Sequence, residues 1–172
     1  MKRRKIRSLS VSEIGMGCMG FSHGYGQVPG AGYAEEAIRE AFGYGCNFFD
    51  TAEGYGKELY YPGHNEEIVG RAVRGFRNEV VIATKLHIRP EAVEDCGSVY
   101  AAVRRHLERS LKNLQIDYVD LYYLHRINME VDNLEVAHAM GRLIQEGLVR
   151  EWGISTVDLS LIHISEPTRL LS

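Results

Sequence analysis

Four polar side chains of complementary chemistry stand out in the 172-residue sequence: Asp50, Tyr55, Lys85 and His125. They supply a carboxylate, a phenol, an ammonium and an imidazole. A hydride delivered to a carbonyl carbon leaves an oxyanion that must be protonated. A phenol with an unperturbed pKa of about 10 is a sluggish acid at neutral pH. A neighbouring ammonium stabilises the phenolate, and a carboxylate holds the ammonium in place. An imidazole can donate to the carbonyl oxygen and orient it. Each residue also has an ordinary reading, as a surface lysine, one of ten tyrosines, or a satisfied core histidine. A further reading takes Lys85 as the nucleophile of a Schiff-base aldolase on a barrel.

What favours a site is where these residues fall. Strand-like runs are expected at 13–17, 46–50, 80–85, 118–125 and 152–155, ending at Gly17, Asp50, Lys85, His125 and Ser155. The runs between are apolar on both parities, as strands covered on both faces must be. Between them lie four helical patterns. Ala34, Ala37, Ile38, Ala41 and Phe42 share one helical face, and Asn65 is read as the cap of a helix carrying Ile68, Val69, Ala72 and Val73 inward. Ser98 caps a longer helix with Val103, Leu107, Leu111 and Leu114 inward, and 133–146 is stopped by Gly147. Strand ends about 30 to 40 residues apart match a strand, a crossover helix and a return, so the sheet is expected to be parallel. That leaves an open doubly wound sheet or a (β/α) barrel.

Gly15, Gly17 and Gly20 satisfy G-x-G-x-x-G, yet a dinucleotide-binding turn needs a helix to begin at the third glycine. Here Gly24, Gly26, Pro29, Gly30 and Gly32 delay any helix to about Tyr33, so a flexible glycine-rich loop over a pocket fits better. In a barrel, all strands deliver their C-terminal ends to one rim, where sites form. Tyr55 then lies on the loop after the second strand. The net charge of −3 argues against nucleic acid or an anionic membrane as default partner. The basic run Lys2 to Arg7 reads as a solvated turn over the barrel bottom. Cys18, Cys46 and Cys96 read as reduced thiols of a cytoplasmic protein, and no metal-ligand spacing is present.

Leu159 to Arg169 resembles, at every position, the in-frame translation of a sequencing-library transposon adapter. The expectation is one partial-barrel domain over residues 1–158 and a non-native tail over 159–172.

The sequence resembles the aldo-keto reductases. The resemblance rests on Ile14–Gly20, on Asp50-Thr51-Ala52-Glu53-Gly54-Tyr55-Gly56, on Asn65–Gly70, on Ala83-Thr84-Lys85, on Leu107–Leu111, on Asp117–Tyr122 and on Gly153-Ile154-Ser155. It implies a (β/α)8 TIM barrel, of which about five parallel strands and four helices are expected here. It implies Asp50, Tyr55, Lys85 and His125 as a catalytic tetrad with Tyr55 as general acid, reducing aldehydes or ketones. It also implies NADPH as cofactor, with Gly17, Cys18, Met19, Asp50, Ser155 and Thr156 near it. Thr156 stands where many members carry Asn or Glu. A non-enzymatic nicotinamide-sensing subunit is the alternative binding role. A half barrel would leave two open sheet edges, so self-association and weak cofactor binding are expected of the chain alone.

Overall fold

The computed structural model describes residues 1–23 and 26–156. The adapter-like segment, and Gly24 of the glycine-rich loop, lie outside the described residues. Two short strands, β1 (Arg3–Ile6) and β2 (Leu9–Ser12), pair antiparallel. The remaining strands, β3 (Met16–Gly17), β4 (Phe48–Asp50), β5 (Val81–Leu86), β6 (Val119–Leu124) and β7 (Val149–Ile154), form one sheet in the order β3-β4-β5-β6-β7. Every neighbouring pair in it is parallel. The helices are α1 (Ala31–Gly43), α2 (His64–Val73), α3 (Pro90–Cys96), α4 (Val99–Leu114) and α5 (Asn133–Gln145).

The strand order decides between the two architectures left open by the sequence. A doubly wound sheet reverses its order at a switch point. Here each new strand is laid beside the previous one without reversal, which is the progression of a barrel wall. No helix begins at Gly20 either: a single 3-10 turn, Met19–Phe21, follows β3, and α1 starts only at Ala31.

Side chains alternate between the two faces of each strand. Phe49, Ile82 and Tyr122 point outward, where Ile38, Ile68, Leu107 and Leu143 of the helices complete a continuous buried layer. Val81, Ala83 and Leu121 point inward and are covered by Leu9 and Val11 of the hairpin. The basic run is therefore a paired strand and not a turn. Its exposed Arg3, Arg4 and Lys5 are carried by a partner strand whose alternate residues plug the barrel floor.

Three further expectations change in detail. Among the described residues the α-helices number five, because Pro90 at a helix start and Gly97 in the left-handed region at its end (φ 76°) enclose a short helix. The first barrel strand shrinks to two residues. Asn65 is no cap: Gly63, with φ 93°, takes that position, and Asn65 lies inside α2 with its side chain fully buried. Ser98 does cap α4, its hydroxyl accepting from the Ala101 amide at 3.2 Å.

At the lower end of the sheet, Asp120 is fully buried between Arg77 (2.8 Å) and Arg150 (2.9 Å) and also accepts from the Ile82 amide at 2.9 Å. Both guanidinium groups lie over the Tyr118 ring, at 4.4 and 4.3 Å. This knot fixes the register of β5, β6 and β7 at the end opposite the expected site.

Candidate active site

Lys85 sits near the C-terminal end of β5 on the inward face and is only 6% exposed. A buried ammonium needs partners for all three protons. Lys85 Nζ donates to Asp50 Oδ1, to the Thr51 carbonyl at 2.7 Å and to the Tyr55 hydroxyl at 3.3 Å. Asp50 reaches it because β4 pairs with β5 in the register Asp50 to Ala83, two residues short of Lys85 on the same face. The ammonium also lies 5.0 Å from the Tyr55 ring centroid.

Tyr55 is placed by a tight loop after β4. Its amide bonds to the Ala52 carbonyl at 3.1 Å, and Gly63 returns to the Glu53 carbonyl at 2.8 Å. Glu53 anchors this loop to two other elements. One carboxylate oxygen accepts from the His87 amide, just past β5, and the other lies 2.7 Å from His106 Nδ1 on α4. Gly56 has φ 99°, and a Cβ there would press on His64 at 3.0 Å, so the loop needs glycine at that point.

His125 follows β6 directly, its amide held by the Leu86 carbonyl at 2.8 Å. Its ring meets Tyr55 edge to face, with centroids 5.8 Å apart and planes at 83°. Burial, and then the Lys85 ammonium, hold this imidazole below its ordinary pKa, so it is neutral at pH 7. The four residues singled out by sequence thus converge from three adjacent strands onto one rim.

The other expected residues separate into groups. Gly17 pairs with Asp50 in register and is exposed. Ser155 is exposed, its amide bonded to the Leu124 carbonyl at 2.9 Å, and Thr156 is exposed beside it. Gly17, Asp50, Lys85, Tyr123 and Ser155 line one inner cavity of about 730 Å³. Met19 is half-buried in the 3-10 turn. The Cys18 side chain is fully buried in the outer layer, and burial pushes its thiol up to about 12. It remains a protonated, inert thiol.

Tyr55 and His125 line a second cavity, of about 890 Å³, which opens over α3 and α4. Asp50 and Lys85 face the inner cavity instead. The contact between Tyr55 and Lys85 is where the two spaces meet.

Several supporting residues escaped sequence reasoning. Asn65 accepts from the Thr51 hydroxyl at 2.6 Å and donates, at 2.9 Å each, to the Cys18 carbonyl and the Ser22 hydroxyl. Its one side chain ties the loop after β3 to the segment carrying Asp50 and Thr51. Glu66, fully buried beside it, accepts from Thr84 at 2.7 Å and Asn113 at 2.9 Å. Burial raises its pKa above the usual carboxylate value. The polar residues inside an otherwise apolar helix stretch (Asn65, Glu66) were the available signal.

Among the described residues, no group of His, Cys, Asp and Glu is arranged to hold a metal ion. No described helix is long and apolar enough to cross a membrane.

Comparison with known proteins agrees with this geometry. The Aldo/keto reductase family model matches residues 13–166, a range that enters the segment outside the described residues. An uncharacterized oxidoreductase, YqkF of Bacillus subtilis (strain 168), is 36% identical over 94% of this chain and 51% of its own length. The aldo-keto reductase yakc [NADP(+)] of Schizosaccharomyces pombe is 34% identical over 93% of the chain and 47% of its own. The holo form of an aldo-keto reductase from Bacillus halodurans superposes with TM-score 0.78 at 33% identity, covering 95% of this chain and 53% of that one. An aldo/keto reductase from Klebsiella pneumoniae in complex with NADP and acetate gives TM-score 0.70 at 35% identity, covering 88% and 48%. The chain spans about half the length of the curated relatives it matches. A partial barrel wall, a rim carrying the lysine-centred cluster and these matches lead to one assignment: the chain belongs to the aldo/keto reductase family.

Proposed function

We propose that Asp50, Tyr55, Lys85 and His125 form the acid–base centre for reduction of an aldehyde or ketone, with Tyr55 as the proton donor. The observation that carries this reading is the Lys85 ammonium, bonded at once to Asp50 and to the Tyr55 hydroxyl. When the phenol gives up its proton, the negative charge left on its oxygen faces a fixed, desolvated cation that need not reorganise. Asp50 and the Thr51 carbonyl keep that cation in place. His125, neutral at pH 7, can donate one ring N–H to the carbonyl oxygen and fix its direction toward Tyr55.

The implied cofactor is NADPH, which when bound supplies the hydride. The inner cavity fits its reactive end: Gly17 and Ser155 are exposed on the same wall as Asp50 and Lys85, and a Cβ at Gly17 would meet nothing within 4 Å, so the wall there is open. Gly17, Asp50 and Ser155 would hold that end, with Thr156, Met19 and the Cys18 backbone, adjacent in sequence to these residues but outside the cavity lining, assigned to it by the family resemblance. The chain's own share is then to bind, to orient and to hold the proton at the Tyr55 oxygen.

The Schiff-base reading fares worse on the same geometry. Lys85 Nζ donates to three acceptors, an arrangement suited to an ammonium, whereas a Schiff base would need a deprotonated amine released from them. Among the described residues no strand pairs with the outer edge of β7, which supports self-association of this chain; sedimentation velocity would report it as species larger than the monomer.

The test is Tyr55→Phe in a polypeptide that joins residues 1–156 to the remaining barrel strands of a family member. Loss of a positioned general acid is expected to lower NADPH-dependent reduction by about 10²- to 10⁴-fold. Turnover unchanged in that variant would end the proposal. Turnover absent in both proteins, with nicotinamide binding intact, would favour the sensing role.

A further inference from the structure

The cavity lined by Tyr55 and His125 has a charge pattern that its acid–base role does not require. Its carboxylates are largely committed to partners. Glu53 is paired with His106, Glu58 lies 3.1 Å from His23 and 3.7 Å from Lys57, and Asp95 lies 3.9 Å from Arg105. Among the described residues, Arg89, Arg109 and Arg126 on the same walls have no ion pair or side-chain hydrogen bond, against the single carboxylate of Glu91.

Two of these guanidinium groups act on the heart of the cleft. Arg126 follows His125 directly and depresses the pKa of both His125 and His87, and Arg89 also depresses that of His87. Burial is the larger cause in each case, so both rings are neutral at pH 7 and the cleft's uncommitted positive charge lies on the arginines. The cleft that Tyr55 and His125 line therefore also holds uncommitted planar donors that match a carboxylate in geometry as well as in sign. The inner cavity, on the other side of the Tyr55–Lys85 contact, holds Gly17, Asp50, Lys85 and Ser155.

We propose that this cleft selects carbonyl compounds that carry a carboxylate, with Arg89 and Arg126 as the specificity-determining residues. The inference rests on the assignment of Tyr55 as proton donor, since that places the carbonyl in this cleft. Neutral carbonyl compounds of the same shape would leave the two guanidinium groups unmatched and gain none of the attraction.

The pair levulinate and methyl levulinate isolates the charge, because both carry the same ketone. Equilibrium dialysis of the full chain against radiolabelled levulinate reads binding without NADPH or turnover, whatever the association state. Levulinate is expected to be retained, and to be retained less as salt rises. The methyl ester is expected to bind at least tenfold more weakly. Arg89→Gln with Arg126→Gln should lower levulinate retention tenfold or more, while Arg105→Gln, whose partner is Asp95, should leave it within about twofold. A urea midpoint equal to that of the unsubstituted chain would show that the double variant still folds. If it does not fold, the ester comparison on the unsubstituted chain decides alone. Equal retention of acid and ester, no retention of levulinate, or retention unaffected in a folded double variant would each overturn the proposal. Because no reduction is measured, failure of the reductase reading would appear separately, in the Tyr55→Phe assay.

Discussion

The Lys85 ammonium lies 3.3 Å from the Tyr55 hydroxyl although the two residues belong to different strand–loop units. The lysine is anchored by the strand, whereas the tyrosine is carried on a loop and held there through Glu53. Replacing Lys85 by Met removes the cation that both Asp50 and Tyr55 depend on. Asp50 is left partly buried without its counter-charge. Because Asp50 keeps some solvent, a destabilisation of about 2 kcal/mol is expected, below the range for fully buried pairs. Urea unfolding would measure it. Asp50→Asn combined with Lys85→Met should cost less than the sum of the two single changes, since they share one interaction. Strict additivity would show that the pair is not coupled.

Asn65 makes a different case, because it contacts no cavity yet bridges the loop after β3 and the Asp50–Thr51 segment. Asn65→Ala leaves the Cys18 carbonyl, the Ser22 hydroxyl and the Thr51 hydroxyl short of a buried partner. About 3 kcal/mol of stability should be lost. Asn65→Asp should be no better, since a carboxylate cannot donate to the Cys18 carbonyl. Hydrogen exchange of the Cys18–Ser22 amides should accelerate in both variants more than that of β5. Unchanged exchange there would contradict the bridging role.

Two glycines in helices should respond with opposite sign. A Cβ on Gly70 would sit 2.1 Å from the Leu114 carbonyl oxygen, so α2 and α4 would have to separate. Gly70→Ala is expected to destabilise by roughly 2 kcal/mol or more. At Gly141, in α5, a Cβ meets nothing within 4 Å. Gly141→Ala should stabilise by about 0.5–1 kcal/mol through reduced freedom of the unfolded chain. Thermal midpoints of the two variants, moving apart around the parent, are the check.

Stability should fall as pH drops below neutrality. His64, His87 and His125 are each held below the ordinary imidazole pKa, first by burial. Above about pH 7 these groups are neutral in both states and give no slope. As pH falls through about 6.5, the unfolded chain protonates first, and the balance shifts toward it. Glu66 opposes this at lower pH, because its raised pKa lets the folded state take up a proton earlier. A lower urea midpoint at pH 5.5 than at pH 7.5, with the difference reduced in His125→Asn, is the expected outcome. A flat profile would mean that the imidazoles are not protected from water.

The legible part of the site was the part written in strand periodicity. Asp50, Lys85 and His125 each close an apolar run, so their placement on one rim followed from parallel strands alone. The supporting residues depend on contacts between elements that no local pattern encodes. Asn65 has the side chain of a helix cap, and only the left-handed backbone of Gly63 moves the cap two residues earlier. The hairpin was hidden because its Lys and Arg residues dominate the first seven positions, while the plug residues Leu9 and Val11 follow them. For α3 the signal was present in Pro90 and Gly97 and simply spans too few residues to show a periodic face.

The register of the sheet has a consequence for how the cluster comes into being. Asp50, Tyr55, Lys85 and His125 issue from β4, β5 and β6, which are neighbours both in order of synthesis and in space. Each junction between them is a pairing of consecutive segments, so no long excursion of the chain has to close before the four groups meet. During translation the constellation can therefore assemble as soon as the third of these segments has left the ribosome, ahead of everything encoded downstream. Exchange of the later segments would likewise leave this cluster of four side chains untouched.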